Sequence, residues 1–310
     1  MIIHQGYENL QLRNPVVTLG IFDGVHRGHQ TVIDCLVNRS KEVNGESVII
    51  TFYPHPKQVL SDNKTELVFL TSLEEKIYLL EKTEVDHLII IGFDLNFSNR
   101  EACEFVRDVL IDKIGTKHLI VGFNHHFGRQ GEGNFDTIKK CAESFNFNVE
   151  QIRALNSESG IISSSAIRNA LLNGKIEEAN NLLGYYYFMN GTVVGGKRLG
   201  RKIGYPTANI KPDFPNKLIP KDGVYAVEIC FEEEKYSGMM SIGLNPTVNK
   251  GEDPRTIEAN IFDFDRDIYG SKIRVIFRFR LRDEMMFESI TDLAEQIELD
   301  KKKAILLLSL

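Results

Sequence analysis

The sequence predicts an α/β protein of two domains, a doubly wound parallel sheet followed by a sheet of antiparallel strands. Short runs rich in Val, Ile and Leu alternate with helical patterns in the first half, which is typical of parallel strands buried on both faces. Strands without intervening helices follow after residue 190 and indicate an antiparallel sheet or a small closed barrel. A length of 310 residues also favours two domains over one.

Five apolar runs are the predicted strands of the first half: residues 15–20, 47–53, 86–93, 117–123 and 147–153. Between them, residues 72–82 and 99–110 carry apolar side chains at helical spacing, so we expect helices there. Ligands of such sheets bind beyond the carboxyl ends of the strands. We therefore look for the site of this domain in the turns that follow the strands.

The helical segment 175–184 and the aromatic run 185–190 close the first half, so we place the boundary near residue 184, between domains 1–184 and 185–310. The predicted strands of the second half are residues 223–231, 235–243, 256–264 and 272–282. A final helix, about 289–308, is expected to dock on this sheet through its apolar residues. These are Ile290, Leu293, Ile297, Ile305 and Leu306.

Composition excludes several classes of protein. A formal net charge of −6 argues against a long nucleic-acid footprint, which needs clustered positive charge. No signal peptide or membrane-spanning run is visible, so we expect a soluble, cytoplasmic protein without a membrane or nucleic-acid partner. The cysteines lack the paired spacing of zinc or redox sites, and we expect free thiols. They are Cys35, Cys103, Cys141 and Cys230.

The segment IFDGVHRGH follows the first predicted strand and opens the first helix. Gly24 and Gly28 allow a tight turn and a close approach to a ligand, and the helix start attracts an anion. His26 and His29 are three residues apart, so both can donate hydrogen bonds to one phosphate chain. The alternatives are that the histidines cap the helix or lie buried, or that they bind zinc. Two histidines with two glycines favour phosphate, and the cysteine spacing offers no further zinc ligands.

The segment ISSSAIR, residues 162–168, is the second candidate phosphate clamp. Ser163 or Ser164 can cap the following helix, and Arg168, about one turn in, can grip phosphate oxygens with two hydrogen bonds. The alternative is an ordinary capped helix with a surface arginine. The histidine turn makes the phosphate interpretation the better one.

The second half has its own candidate site. Residues 191–210 hold five glycines and four basic residues, typical of a loop over phosphates, although a glycine-rich hairpin is the alternative. Thr207 and Asn209 lie on one face if the stretch is extended, and their oxygens suit Mg²⁺. Glu258 stands among apolar neighbours as a general base for a hydroxyl, or as a solvent-facing strand residue.

Together these motifs resemble the prokaryotic bifunctional riboflavin kinase/FAD synthetase family. HRGH and ISSSAIR are similar to the signatures of its nucleotidyltransferase domain, with TFYPHP at 51–56 and VGFNHHFG at 121–128 beside them. GRKIGYPTAN and TIEANIFDF are similar to the signatures of riboflavin kinase. The resemblance covers nearly the whole chain and implies a small antiparallel barrel for the second domain, with a terminal helix.

The resemblance also implies two reactions. The barrel would phosphorylate riboflavin to FMN with Glu258 as base, and the first domain would transfer AMP from ATP to FMN, forming FAD and releasing pyrophosphate. Both steps would use Mg²⁺, with Thr207 and Asn209 as ligands of the metal in the kinase. His26 and His29 would serve the adenylyl transfer.

The binding residues that the resemblance implies fall into two sets. Expected nucleotide contacts are Gly20, Phe22, Asp23, Gly28, Ser163, Ser164, Arg168, Gly195, Lys197, Gly200, Thr207 and Asn209. Expected flavin contacts are Pro54, Pro56, Asn124 and Arg282. Many relatives carry an acidic, an aromatic and a basic residue where this chain has residues 124–126, and a Gly-Arg-Pro run where it has GYYYF. The rival hypotheses are a nucleotidyltransferase for another phosphate ester and a flavin-binding regulator without turnover.

Overall fold

The computed structural model describes residues 1–61, 67–123, 126–157, 160–196, 204–243 and 255–309. Contacts between Cα atoms divide the chain into two compact units. Unit 1 comprises Met1–Val68 and Leu73–Ser164, and unit 2 comprises Phe69–Ser72 and Ser165–Leu310. This division differs from the sequence boundary near residue 184, because the two helices before that boundary contact the second unit. The sequence boundary itself stays a prediction.

In the part of unit 1 that the structure describes, six parallel strands form one sheet in the order β1-β4-β3-β2-β5-β6. The strands are β1 (Ile2–Gln5), β2 (Val16–Leu19), β3 (Ser47–Tyr53), β4 (His87–Gly92), β5 (His118–Gly122) and β6 (Asn148–Ile152). Five were predicted. The sixth, β1, is a four-residue edge strand with mostly exposed side chains, so it has no apolar run to reveal it. A short antiparallel pair, β7 (Asn156–Ser157) and β8 (Gly160–Ile161), follows.

Helices connect the strands of unit 1. They are α1 (Arg27–Glu42), α2 (Pro56–Leu60), α3 (Leu73–Leu80), α4 (Leu95–Ser98), α5 (Ala102–Phe105) and α6 (Phe135–Phe145). A π-helical segment, Val106–Ile111, continues α5, and a 3₁₀ turn at Arg129–Gly131 precedes α6. The central strands β2 and β3 are buried along nearly their whole length, as their Val- and Ile-rich sequences predict.

A disulfide between Cys103 and Cys141 contradicts the expectation of four free thiols. Cys103 lies on α5 and Cys141 on α6, and these two helices pack against each other with the two Cα atoms 5.9 Å apart. The pairing could not be predicted because 38 residues separate the cysteines along the chain. Cys35 and Cys230 are free, as expected.

Unit 2 begins with two helices, α7 (Ser164–Leu172) and α8 (Ile176–Leu183), and continues as a barrel. In its described residues, six antiparallel strands close in the order β10-β13-β12-β11-β14-β9. They are β9 (Phe188–Val194), β10 (Ala208–Pro212), β11 (Gly223–Phe231), β12 (Glu234–Gly243), β13 (Thr256–Ile261) and β14 (Lys272–Arg282). The closed barrel decides between the two alternatives that strand pattern alone leaves open. Both parts of the predicted fold class are thus confirmed.

The terminal helix α9 (Ile290–Leu308) packs on the barrel through only part of the predicted face. Of the predicted residues, Ile297 packs against the barrel core, whereas Ile290, Ile305 and Leu306 are exposed, and Ala304 is fully buried. An ion pair sets this orientation, because Asp300 is buried on the same face and accepts from the Arg282 guanidinium at 2.8 Å. The described helices include none that is both long and apolar enough to cross a membrane.

A buried asparagine joins α8 to the barrel. The Asn180 amide nitrogen donates to the carbonyl of Phe277 at 3.1 Å, and its oxygen accepts from the backbone N–H of Tyr187 at 2.7 Å. Asn180 is 7% exposed, so water does not replace these bonds. The side chain therefore satisfies two backbone groups that would otherwise be buried without partners.

Replacing Asn180 by Ala is expected to lower the free energy of unfolding of unit 2 by about 2 kcal/mol, because two buried backbone groups lose their partners. Urea denaturation followed by circular dichroism measures the loss. The matched control is Asn181→Ala, an exposed amide on the same helix, for which we expect a change within about 0.5 kcal/mol. Equal losses in the two variants would contradict the buried bonds.

Candidate active sites

The turn between β2 and α1 has an unusual backbone. Phe22 and Val25 have φ values of +51° and +37°, and Gly24 between them has φ +84°. A left-handed conformation is a clear outlier for a β-branched residue such as Val25, and each such residue costs roughly 1–3 kcal/mol. Phe22 and Val25 are both buried, which offsets the cost. Strain of this kind clusters at functional sites.

His26 and His29 lie side by side at the start of α1. Their rings stack with centroids 3.6 Å apart and planes 16° from parallel. His26 is the N-cap of α1, and its Nδ1 accepts from the backbone N–H of His29 at 3.3 Å. The capping interpretation is therefore correct for His26, and the phosphate-binding role of the two histidines stays a prediction. Gly28 packs closely here, since a Cβ atom would lie 3.2 Å from the His26 ring.

His29 is held in its neutral form. Burial lowers its pKa well below the ordinary value, and the neighbouring charges of His26 and Lys76 lower the pKa further. The Nδ1 atom of His29 is buried and has no hydrogen-bond partner among the described residues. A neutral imidazole has one N–H donor and one acceptor nitrogen, so His29 can donate a hydrogen bond to a ligand without carrying a charge.

Within unit 1, the segment that contains Ser163 and Ser164 contacts the turn before His26. The Ser164 hydroxyl donates to the backbone carbonyl of Asp23 at 2.9 Å, although 141 residues separate them. Asp23 is buried, and Gly20 lies at the end of β2 just before the strained turn. Ser163 precedes α7 and is half-buried, as is Arg168 within α7. Arg168 belongs to unit 2 by its contacts, so its role at the histidine turn stays a prediction.

The sequence analysis missed Lys76, a buried lysine on α3. Its Nζ donates to Thr51 Oγ1 at 3.3 Å, and the Thr51 hydroxyl in turn donates to the carbonyl of Ile21 at 3.3 Å. Burial lowers the pKa of Lys76 to about 8, while the nearby Asp23 carboxylate opposes the shift. The sequence could have indicated that Lys76 is buried. It is three residues from both Leu73 and Leu79, so it lies on the apolar face of its helix.

The flavin contacts implied for unit 1 fall at the end of β3 and in a later loop. Pro54 follows β3 in a cis peptide bond, and Pro56 is the first residue of α2, whose N-cap is His55. Asn124, together with His125, lies outside the described residues. The flavin-binding roles of Pro54, Pro56 and Asn124 stay predictions.

The barrel brings Thr207, Asn209 and Glu258 together. Asn209 on β10 is the direct cross-strand neighbour of Glu258 on β13. The Thr207 hydroxyl donates to Glu258 Oε2 at 3.0 Å, although 51 residues separate the two. Thr207 and Glu258 are half-buried, so a ligand can reach both. A hydroxyl, an amide and a carboxylate thus converge at one edge of the barrel.

Asn260, a second residue missed by the sequence analysis, supports this arrangement. Its amide nitrogen donates to the carbonyl of Pro206 at 2.7 Å and so holds the backbone next to Thr207. Asn260 is buried on β13, two residues after Glu258, on the same face of the strand. The hydroxyl of Tyr205 donates to Glu298 on α9 at 2.8 Å and holds the loop from its other side.

The remaining predicted residues of the barrel are only partly placed. Gly195 follows the last residue of β9, whereas Lys197 and Gly200 lie outside the described residues. The Arg282 guanidinium is paired with Asp300, and its Nη1 donates to the carbonyl of Asp283 at 2.9 Å. These bonds dock α9 on the barrel, and the flavin-binding role of Arg282 stays a prediction.

Two protein families match this chain. The model of FAD synthetase matches residues 8–166, and the model of riboflavin kinase matches residues 183–308. A protein of Listeria monocytogenes named bifunctional riboflavin kinase/FMN adenylyltransferase is 39% identical over 93% of this chain and 91% of its own length. The chain belongs to this family. The resemblance that the motifs indicate is therefore confirmed, and the chain carries both enzyme domains of the family.

Two further comparisons agree with the assignment. The Bacillus subtilis protein of the same name is 37% identical over 94% of this chain and 91% of its own length. A crystal structure from Streptococcus pneumoniae superimposes with a TM-score of 0.88 and 32% identity, covering 97% of this chain and 98% of that one. That structure is described as a macrolide-efflux protein, and the likeness shows that the two chains share a fold.

The lowered pKa of His29 predicts how stability depends on pH. The unfolded chain gains a proton on this residue near its ordinary pKa of 6.5, whereas the folded chain resists protonation. This contribution to stability is therefore present above pH 6.5 and is lost as the pH falls below it. We expect His29→Gln to lose less unfolding free energy than the wild type between about pH 7 and pH 5.

Urea denaturation at the two pH values, followed by circular dichroism, measures this difference. The exposed His126 supplies the matched control, as His126→Gln. A His29→Gln variant whose stability falls with pH as steeply as that of the wild type would show that burial does not disfavour protonation of His29.

Proposed function

We propose that the two units catalyse two successive ATP-dependent steps in flavin cofactor synthesis. Unit 2 phosphorylates riboflavin to FMN, and unit 1 adenylylates FMN to FAD with release of pyrophosphate. The observation that carries the proposal is the convergence of each motif pair, Thr207 on Glu258 in the barrel and Ser164 on Asp23 beside the stacked histidines. Each convergence joins segments that are far apart in sequence, which supports a shared role for their residues.

Riboflavin phosphorylation needs a base. The ribityl 5′-hydroxyl attacks the γ-phosphorus of ATP, its proton passes to the Glu258 carboxylate, and ADP leaves. Glu258 is suited to this role because it is half-buried and is oriented by the Thr207 hydroxyl at 3.0 Å. Asn260 keeps that hydroxyl in place through the Pro206 carbonyl. Gly195, just after β9, has open space beside its backbone, where the phosphates of ATP would bind.

The oxygen donors in the barrel fit Mg²⁺. Thr207 and Asn209 offer a hydroxyl and an amide oxygen, with the Glu258 carboxylate beside them, and hard oxygen ligands are those that Mg²⁺ prefers. We propose Thr207 and Asn209 as the residues that hold the ion. When bound, Mg²⁺ would neutralise charge on the phosphates of ATP during transfer. The described residues of unit 1 offer no cluster of three His, Cys, Asp or Glu side chains for a metal.

Adenylyl transfer needs no base. An oxygen of the FMN phosphate attacks the α-phosphorus of ATP, and pyrophosphate leaves with the electron pair of the broken P–O bond. His26 and His29 would donate hydrogen bonds to phosphate oxygens as charge develops on them, beside the N-terminus of α1. The remaining nucleotide contacts that we propose here are Gly20, Phe22, Asp23, Gly28, Ser163, Ser164 and Arg168.

Other parts of the proposal rest on the sequence alone. The cytoplasmic location, the absence of a nucleic-acid partner, and the roles of Lys197, Gly200 and Asn124 stay predictions. A nucleotidyltransferase for a different phosphate ester would leave riboflavin unchanged, and a flavin-binding regulator would not consume ATP. Chromatography of the flavins formed from riboflavin, ATP and Mg²⁺ separates the proposed enzyme from both rivals, because only the proposed enzyme produces FMN and then FAD.

Two substitutions should separate the activities. We expect Glu258→Gln to slow FMN formation from riboflavin by about 100-fold or more, because the base is lost. The same variant should convert supplied FMN to FAD at the wild-type rate. We expect His29→Ala to show the opposite pattern, with FAD formation slowed by about 100-fold through the lost donor.

Initial rates of FMN and FAD formation, measured by chromatography on folded protein, test this separation. Glu233→Gln is the matched control for the barrel, since Glu233 is exposed in the turn before β12. Loss of both activities in either folded variant would overturn the assignment of one reaction to each unit.

A further inference from the structure

Lys76 is the buried charge in unit 1 that the proposed mechanism does not use. It is 6% exposed, whereas lysine is almost never buried unless it is paired. Within the described part of the chain, its ammonium group donates one hydrogen bond, to the neutral Thr51 hydroxyl. An ammonium group has three donors. A side chain buried at this cost needs a reason beyond packing.

The hydrogen bonds of Lys76 indicate why it is buried. Its Nζ binds Thr51 Oγ1, and the Thr51 hydroxyl must then point its own hydrogen at the carbonyl of Ile21. Ile21 is the residue before the strained part of the β2–α1 turn. The chain of two hydrogen bonds thus begins at α3, crosses β3, and ends on the backbone that places His26 and His29.

The charges around Lys76 agree with this position. Asp23 on the turn is the carboxylate that raises the pKa of Lys76, and Lys76 in turn lowers the pKa of His29 on α1. His26 on α1 acts on His29 in the same direction. Glu75, the neighbour of Lys76 on α3, is also buried. With a pKa of about 8, Lys76 carries its positive charge at neutral pH and loses it in alkaline solution.

We propose that Lys76 is a positioning residue for adenylyl transfer, which holds the histidine turn through Thr51 and Ile21 and adds to burial and His26 in keeping His29 uncharged. This inference rests on the proposed function of unit 1. A neutral, oriented His29 donates from one ring nitrogen only, whereas a protonated one would carry a proton on both.

The test compares three variants with the wild type. Lys76→Met removes the charge and keeps most of the volume, and Lys76→Arg keeps the charge above pH 8. Thr51→Val breaks the hydrogen-bond chain without changing any charge and suits a buried strand. Lys82→Met is the matched control, since Lys82 is exposed just after α3. The readouts are FAD formation from FMN, FMN formation from riboflavin, and the titration of His29 followed by NMR.

We expect Lys76→Met and Thr51→Val to slow FAD formation by about 100-fold and 10-fold, as misplaced groups do. Both should form FMN from riboflavin at the wild-type rate, which shows that unit 2 is folded, and a wild-type circular dichroism spectrum should show that unit 1 is folded as well. The pKa of His29 should rise in Lys76→Met and stay unchanged in Thr51→Val. Lys76→Arg keeps the positive charge, so the pKa of His29 should stay low in that variant.

The inference is overturned if Thr51→Val and Lys76→Met form FAD at the wild-type rate, or if both lose FAD and FMN formation equally. It is also overturned if the pKa of His29 is the same in Lys76→Met as in the wild type, a result that does not depend on any reaction. If the wild type itself makes no FAD from FMN, the proposed function of unit 1 fails. The titration of His29 then still decides whether Lys76 controls its charge.

Discussion

The turn between β2 and α1 holds two non-glycine residues in the left-handed region, and the geometry of the first site depends on it. This backbone turns the chain so that His26 caps α1 and its ring stacks on that of His29. The conformation is unfavourable by itself. It persists because Phe22 and Val25 are buried and because the Ser164 hydroxyl holds the Asp23 carbonyl in the middle of the turn. The strained turn lowers the stability of the fold, but it places the two imidazole rings side by side.

In the barrel site, the functional side chains are oriented in a similar way by different residues. There the Asn260 amide holds the Pro206 carbonyl, and the next residue, Thr207, is thereby placed against Glu258. In both sites a distant polar side chain binds one backbone carbonyl next to a functional group. A single hydrogen bond of this kind is worth only about 1 kcal/mol, but it orients a group whose misplacement by 1 Å costs far more in rate.

The sequence predicted the parts of the fold that have a strong apolar pattern. Strands β2, β3 and β4 are buried on both faces and appear as continuous Val- and Ile-rich runs, while the exposed edge strand β1 has no such pattern. The docking face of α9 was predicted only in part, because periodicity ranks apolar residues above Asp300: Ile297 packs against the barrel, but Ile305 and Leu306 are exposed. The ion pair of Asp300 with Arg282 decides the orientation, and a pattern of apolar residues cannot reveal it.

The candidate sites were predictable where residues cluster in sequence. The histidine turn is a local motif, and its capping geometry follows from its position at a strand-to-helix turn. Pairs such as Thr207 with Glu258 became expectations only through the family resemblance, since 51 residues separate them. Lys76 and Asn260 were missed because each acts through another residue, and their sequence neighbourhoods show an ordinary helix and an ordinary strand.

The first proposed reaction removes a proton from its nucleophile and the second does not. The two sites differ accordingly, because one offers a base and the other does not. Riboflavin presents an alcohol, which must lose its proton on attack, and the barrel places a half-buried carboxylate, Glu258, beside the candidate metal ligands. FMN presents a phosphate that is already ionised at neutral pH, so a base would serve no purpose. In unit 1 the buried Asp23 contributes its backbone carbonyl to Ser164, and the neutral imidazole of His29 is the donor that we propose for the phosphates. A site that stabilises charge on phosphates needs hydrogen-bond donors whose protonation state does not change when the substrate binds. Burial of His29, with the charges of His26 and Lys76 near it, favours the neutral form before binding.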